Sequence, residues 1–504
     1  MKKIWAAIVL ALAACAGPLA QRRDGASAAA SDAWRALVDG KPDEAARAFE
    51  ARLATAPDDV LARFGRATLA YDHGDGPRAL DDYTAVLVAA AKAGDADPTA
   101  TLVAPVAAAR ALALDDEVGP SRRARDEAAL LALPDGDTLP WQARLELARL
   151  AEHVARRAGD AAMLEREAVR RGCARQVVDA GTLGPLAHLD LDRRASPLSH
   201  AAGTPVLATG CRLSVSARDG RPAAERLRAA VDVPGGTYDL VLDYDGDARL
   251  AIDDAAPLHH GSETRFGPRV SAFALALAAG HHEIELRLAT QGGRADVALL
   301  MLPRAPGTVV HFETARDMPA HATLLTGAPA PSALDDALDD YARAFVANRT
   351  GDVDDALTRA ARLAGRRTFA PGLTLAALIS RDDPTRPAGF TRDSARGLLR
   401  AALAVDGADA RAWQTLAAVE LEDEHVREAI DDAQAAARAA PAWWAPELVL
   451  AHALRARGLE WDADRALDRA AAKGGPPPDA PCALTEALLR RADDERALAT
   501  KTRL

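Results

Sequence analysis

The chain is short of cysteine, aromatic residues and positive charge, and beyond its first residues it has no long apolar run. Each shortage excludes something. Four cysteines in 504 residues, none in a C-x-x-C spacing, make neither a disulfide framework nor a cysteine-built zinc module. Aromatics at 4% are too few to build a large aromatic core, and alanine fills much of the apolar share instead. Alanine is the best helix former and lets helices approach closely, which suits stacked helical hairpins. The net charge of −11 argues against nucleic acid as a partner, because phosphate binding needs clustered cations. Basic runs such as Arg122-Arg123-Ala124-Arg125 and Arg366-Arg367 read as solvated helix faces. Catalytic signatures are also missing. His282-Glu283 does not extend to His-Glu-x-x-His, since Leu286 stands at the second histidine place. Neither a Gly-x-Ser-x-Gly elbow nor a Gly-x-x-x-x-Gly-Lys loop occurs. No enzyme and no cofactor are expected.

At the start, Lys2 and Lys3 precede an apolar stretch from Ile4 to Ala14, too short to span a bilayer, which needs about 20 residues. It ends Leu12-Ala13-Ala14-Cys15. This resembles the lipobox of bacterial lipoproteins, which implies removal of the leader and lipidation at Cys15, with membrane attachment through the lipid. Ala16 after the cysteine implies, by the same resemblance, an outer-membrane lipoprotein of the cell envelope facing the periplasm. Ala16 to Ala30, rich in Ala, Gly and Ser, suits a flexible tether. The remaining cysteines, Cys173, Cys211 and Cys482, are odd in number. At most one pair can form, and buried free thiols are expected.

Self-similarity organises both ends of the chain. Counting from Ala410, Trp413 stands fourth, Leu416 seventh, Ala417 eighth, Ala429 twentieth, Ala436 twenty-seventh and Pro441 thirty-second. Period and residue sizes resemble the tetratricopeptide repeat. The small residues sit where paired helices cross, and the proline ends the second helix. Glu424 occupies the fifteenth place, where that family has glycine. The register continues through Ala451, Gly458, Ala463, Leu467 and Ala470, and an earlier unit runs through Ala337, Ala344, Gly351, Ala356 and Leu363. Near the N-terminus, Gly40, Ala45, Phe49 and Pro57 close one unit, and Ala67, Gly74, Ala79, Tyr83 and Val86 mark another. Residues 97–175 drift from the pattern but keep a helical period, with a helix start expected at Pro140-Trp141. Asp382-Asp383-Pro384 and Arg386-Pro387 predict a loop.

After Gly181 alternation replaces the helical period. In Tyr238 to Asp254, Leu240, Leu242 and Tyr244 fall on one face and Asp239, Val241 and Asp243 on the other, as in a half-buried strand. Asp245-Gly246 is a turn signal. Further strands are predicted at Phe273 to Leu277, Glu283 to Leu288 and Val297 to Leu302. Gly236-Thr237-Tyr238, Leu250-Ala251-Ile252-Asp253 and Leu277-Ala278-Ala279-Gly280-His281-His282 resemble the PA14-like β-sandwich family. Glycan-binding members hold calcium on two adjacent aspartates; here Tyr244 precedes Asp245, so that pair is broken. Asp243, Asp245 and Asp247 lack the glycine and glutamate of a calcium loop. His259-His260 and His281-His282 each offer one histidine per strand face, so a zinc site is not expected.

The fold class expected is therefore multidomain α plus β: two α-helical tetratricopeptide-like solenoids flanking an antiparallel β-sandwich. The predicted domains are 1–30 signal peptide and tether, 31–180 N-terminal repeats, 181–305 sandwich and 330–504 C-terminal repeats. In the tetratricopeptide family the first helix of each hairpin lines a groove. The register places Phe64, Tyr71 and Asp72 there in the first array, and Tyr341, Phe345, Asn348, Arg349, Arg411, Gln414, Glu422, His452 and Arg455 in the second. Aromatics beside Arg and Asn suit capture of protein or peptide partners. The function expected is a lipid-anchored envelope scaffold. The alternatives are a glycan- or cell-wall-binding lectin, and a non-catalytic relative of longer transglutaminase-like proteins, whose front half the order of repeats, sandwich and repeats resembles.

Overall fold

A computed structural model describes residues 30–133, 138–174, 176–182, 204–216, 223–245, 247–253, 268–290, 294–304, 311–313, 322–324 and 336–475. Cys15 and the leader, Gly246, Asp254, His259-His260 and Cys482 lie outside them. The fold is mixed: helices at the N- and C-terminal ends flank antiparallel sheets in the middle. No described helix is long and apolar enough to cross a membrane.

Contacts gather the described residues into two units that cut across the expected chain-order domains. One takes residues 30–89, 336–344 and 357–475; the other takes 90–324 and 345–356. The expected N-terminal domain 31–180 is thus divided. Its first two hairpins belong with the C-terminal helices.

In the first unit, α1 (residues 30–38), α2 (Pro42–Thr55), α3 (Val60–Asp72) and the start of α4 (Gly76–Ala93) come from the N-terminal side. From the C-terminal side come parts of α9 (Asp336–Thr350) and α10 (Val353–Gly365), then α11 (Ala370–Arg381), α12 (Ala388–Val405), α13 (Ala410–Glu422), α14 (Val426–Ala439), α15 (Ala445–Ala456) and α16 (Glu460–Ala472). Local chemistry starts and stops them. Asp59 and Asp409 accept hydrogen bonds from the Ala62 and Ala412 amides, capping α3 and α13. The proline-bearing segment 382–387 separates α11 from α12 as expected. Ala417, Ala429, Ala436, Ala451, Ala463 and Ala470 are fully buried on helices that pack as consecutive hairpins. The fifteenth place of each unit explains its glycine. Gly74, Gly351 and Gly458 take φ of +74°, +79° and +79°, and Glu424 is forced to +61° at the same place; a Cβ there crowds the carbonyl.

The second unit holds α5 (Pro98–Asp115), α6 (Pro120–Leu131), α7 (Trp141–Ala158) and α8 (Ala161–Arg170), followed by eleven strands among the described residues. These are β1 (Gln176–Thr182), β2 (Thr204–Leu207), β3 (Arg212–Ser216), β4 (Ala223–Val233), β5 (Gly236–Asp245), β6 (Asp247–Ile252), β7 (Pro268–Leu277), β8 (Gly280–Thr290), β9 (Arg294–Pro303), β10 (His311–Glu313) and β11 (Ala322–Leu324). One sheet runs β2-β1-β4-β8-β6, with β10 also beside β4; the other runs β11-β7-β5-β9-β3. Leu227, Val231, Leu250 and Leu286 of the first share one apolar cluster with Leu240, Leu242, Tyr244 and Leu299 of the second. The far face of β5 differs from expectation. It is not solvated: Val241 and Leu300 lie in a second cluster with Leu145 and Ala148 of α7 and Ala168 of α8. Asp239 and Asp243 on that face are buried too.

Cys173, just past α8, and Cys211, just before β3, form a disulfide with Cα atoms 5.1 Å apart. The expected free thiols are corrected here. Two cysteines 38 residues apart in sequence meet because the helix end packs on the sheet that β3 edges, a proximity no local spacing announces.

Candidate functional site

The residues expected to line an open groove are mostly enclosed. In the second unit, Phe345 is buried with the Arg110 guanidinium 5.1 Å from its ring centre, and Asn348 is buried as well. Arg349 is held by Glu146 of α7 through two bonds, Nη2 to Oε2 at 2.6 Å and Nε to Oε1 at 3.1 Å. Glu146 also accepts from Arg149 at 2.8 Å, and Arg149 reaches Asp243 of β5 at 2.9 Å. Two guanidinium groups and two carboxylates thus alternate along a buried chain. The adjoining crevice, lined by Pro105, Leu145, Val270 and Phe345 among others, has internal room of about 10 Å³, enough for one water and no more. Asp243, one of the three alternating aspartates, is therefore committed to Arg149.

Further from these, the first unit encloses Tyr341 and Arg411. Tyr341 meets Phe369 edge-on at 5.9 Å, and Phe369 in turn meets Trp34 of α1 at 6.5 Å. Trp34 stacks on Phe64 of α3 at 5.8 Å. Arg411, at the start of α13, lies between two rings, 3.6 Å from the centre of Tyr71 and 4.4 Å from that of Trp443. Its Nε donates to the Tyr71 carbonyl at 2.7 Å. Thus α3 packs against α11 and against α13, which carries Arg411 and Gln414 of the predicted groove, and Phe64, Tyr71 and Asp72 of α3 are buried. Correction follows for five of the eight partner residues: Tyr341, Phe345, Asn348, Arg349 and Arg411 are buried inside their own units. The same register positions are buried on α9 and at the start of α13 and exposed on α15. What covers the buried ones lies far away in sequence, out of reach of any repeat pattern.

Sequence reasoning also missed the polar end of this contact. His73, which follows α3, has Nε2 2.8 Å from Asp406 Oδ2. Asp409, wholly buried, accepts from the Ala412 amide at 2.7 Å and from the Thr374 hydroxyl at 3.0 Å. Burial pushes the Asp409 carboxyl up to about 6, with Asp406 adding to the rise. The His73 imidazole is raised from its ordinary value: burial opposes its charge, and the bond to Asp406 together with Asp72 and Asp409 outweighs that.

Three of the eight remain accessible. Gln414 is half-buried, and His452 and Arg455 are exposed on α15. Arg455 reaches Asp464 at 3.1 Å and Glu460 at 3.6 Å on α16. Leu459, just past α15, and Trp461, in the first turn of α16, are exposed too, the latter 70%, with the Arg465 guanidinium 4.8 Å from the Trp461 ring centre. Spacing alone gave no sign of Trp461 as a surface residue, because tryptophan reads as core in any alanine-rich helix.

Two clusters bear on metals. Asp115, Asp116 and His153 bring ligand-type atoms within 4.8 Å of one another. Their centre is already cationic: Arg157 Nη1 lies 2.5 Å from Asp115 Oδ2, 3.2 Å from Asp116 Oδ1 and 3.3 Å from His153 Nε2. His282 is fully buried, its Nδ1 2.6 Å from Asp253 Oδ2 and its Nε2 2.9 Å from the Ala278 carbonyl. Both partners only accept, so both ring nitrogens carry protons and neither is a free metal ligand. The bond to Asp253 is the main reason its pKa is raised, against the opposing effect of burial.

No protein-family model matches the chain, and no curated protein matches it.

Proposed function

We propose that the protein is a non-catalytic scaffold of the cell envelope, tethered by lipid at Cys15, in which tetratricopeptide-like hairpins and a PA14-like β-sandwich carry a partner-binding surface on the hairpin of α15 and α16. The observation that carries this reading is Trp461. A 70% exposed tryptophan leaves a large apolar ring in water, and tryptophan and arginine are the residues that most often anchor protein interfaces. Arg465 lies over the Trp461 ring, Leu459 is exposed two positions before it, and Arg455 reaches its neighbour Glu460. The partner this chemistry fits is a protein segment that lays an apolar side chain on the indole and offers carboxylates to the guanidinium groups. The Cys173–Cys211 disulfide supports export, because such bonds persist in oxidising compartments. The glycan-binding alternative draws no support from Asp243, whose carboxylate already takes Arg149.

The test compares wild type with Trp461→Ala and Arg455→Ala, each extracted from membranes and cross-linked to its neighbours. A neighbour that binds wild type and is lost from Trp461→Ala, at unchanged thermal stability, supports the reading. Identical neighbours in all three would sink it.

A further inference from the structure

The contact between α3 and the C-terminal helices is built differently at its two ends. Near the start of α3 it is apolar: Trp34, Phe64, Phe369 and Tyr341 form a continuous chain of rings. Near its end it is ionic and hydrogen-bonded. There His73 meets Asp406, Arg411 is clasped by Tyr71 and Trp443, and Asp409 is held by Thr374. The His73–Asp406 pair is partly open to water, and a pair of that kind contributes little net stability while responding to pH. Gly74 follows at once with φ of +74°, a place where the backbone can turn. A residue with a Cβ would not fit there, since that atom would lie 2.6 Å from the Ala440 Cβ.

We propose that residues 60–73 are a cis-bound helix occupying the inner face of α11 and α13, latched at its end by His73 on Asp406, so that deprotonation of the latch opens the face to an amphipathic helix from a partner. The chain supplies its own template for that partner: a helix with an apolar start and an aromatic near its end that Arg411 can cover. The closure does not involve Trp461, so a null result at that patch leaves it standing.

The charged groups facing His73 are Asp72 on its own helix, Asp406 and Asp409 from the turn before α13, and Arg411 at the neighbouring Tyr71. Thr374 of α11, which donates to Asp409, and Trp443, which lies against Arg411 and Gly74, are uncharged. His73 is raised on closure, so its contribution is complete below its ordinary value near 6.5 and is lost as pH rises through the raised value. Asp409 is raised to about 6, so its buried charge weighs against closure once pH has passed that value. Both groups favour the closed form under mild acid and loosen it under mild alkali.

Amide hydrogen exchange in the full chain, followed in fragments covering residues 60–75 and corrected for intrinsic rates, tests this at about pH 5.5 and about pH 8.5. The expected result is a fall in protection of about two- to five-fold at the higher pH, the range of a partly exposed ion pair. Residues 42–55 of α2 should keep theirs. His73→Gln and Asp406→Asn, both with wild-type helix content by circular dichroism, should show weak protection at both pH values. A synthetic peptide of residues 58–76 should bind the full chain at the higher pH and not at the lower. Protection that does not change with pH, an equal fall in the two variants, or equal loss across α2 would each overturn the latch.

Discussion

Replacing Arg349 by Met should destabilise the second unit rather than release a partner. The structure sets the magnitude. Glu146 has three hydrogen bonds, two of them from Arg349, and both side chains are more than nine-tenths buried. Hydrogen bonds to charged groups contribute about 1.5–3 kcal/mol each, and stranding one member of a buried ion pair costs about 3–5 kcal/mol. Removing Arg349 leaves Glu146 and Asp243 sharing Arg149, two carboxylates facing one guanidinium. A loss of about 3–5 kcal/mol is expected, or roughly 10 °C in Tm for a unit of this size. Trp141 is the one tryptophan in the sequence of the second unit and packs beside Leu145 and Val241. Urea unfolding followed by its fluorescence therefore reads this unit, once the other tryptophans are replaced by Phe. The double variant Glu146→Gln/Arg349→Met restores balance, one Arg149 to one Asp243, and should lose clearly less than the sum of the single changes. A loss below about 1 kcal/mol in Arg349→Met, the range of exposed pairs, would refute the buried network.

Three further outcomes are expected. Cys173→Ser/Cys211→Ser should lose about 4 kcal/mol of stability in the second unit, the chain-entropy value for a loop of 38 residues; equal denaturation midpoints for wild type with and without reductant would contradict it. His282 is raised on folding, so the second unit should hold its full His282 contribution below about pH 6.5 and lose it as pH rises through the raised value. His282→Gln should remove that slope, and a slope that persists in the variant assigns the dependence elsewhere. Glu424→Gly should be stabilising by about 0.5–1 kcal/mol, because a left-handed backbone costs an L-residue about 1–2 kcal/mol and glycine gives part of that back through the unfolded chain. Thermal unfolding of the full chain reads it, and a destabilised variant would show that the Glu424 side chain contributes more than its backbone costs.

Spacing carried the helical hairpins well, for a physical reason. Small residues such as Ala417 and Ala429 are needed wherever two neighbouring helices cross, and left-handed turns at Gly74, Gly351 and Gly458 recur with the same period. These are local constraints, so they leave a local trace. Strand cores were legible in the same way: Leu240, Leu242 and Tyr244 alternate and do face one apolar cluster. The other face of β5 was not, because Val241 and Asp243 are covered by α7, whose sequence lies about a hundred positions earlier. The candidate site fared worst. Arg349 to Glu146 spans 203 positions, His73 to Asp406 spans 333, and Arg411 to Tyr71 spans 340. A repeat register says which way a side chain points and carries no information on the segment that arrives to cover it.

How the chain distributes its few aromatics sharpens the choice of binding surface. With Trp, Tyr and Phe at 4% of residues, each buried ring is a large share of the apolar area available for packing, about 150–250 Å² apiece. The first unit commits Trp34, Phe64, Tyr71, Tyr83, Tyr341 and Phe369 to one interior, joining segments that are far apart in sequence. An open groove would have had to expose those same rings. Among the described residues the large apolar side chains left substantially in water are Val169, Phe390, Leu459 and Trp461, and the last two are two positions apart. Phe390, in the first turn of α12, carries Arg386 on its ring as Trp461 carries Arg465, but no second large exposed apolar side chain lies near it in sequence. If exposure were merely tolerated, Trp461→Gln should leave cross-linked neighbours unchanged and improve solubility. If the ring anchors a partner, the same change should remove that partner while the purified chain stays as stable as before, since a side chain this exposed contributes little to folding.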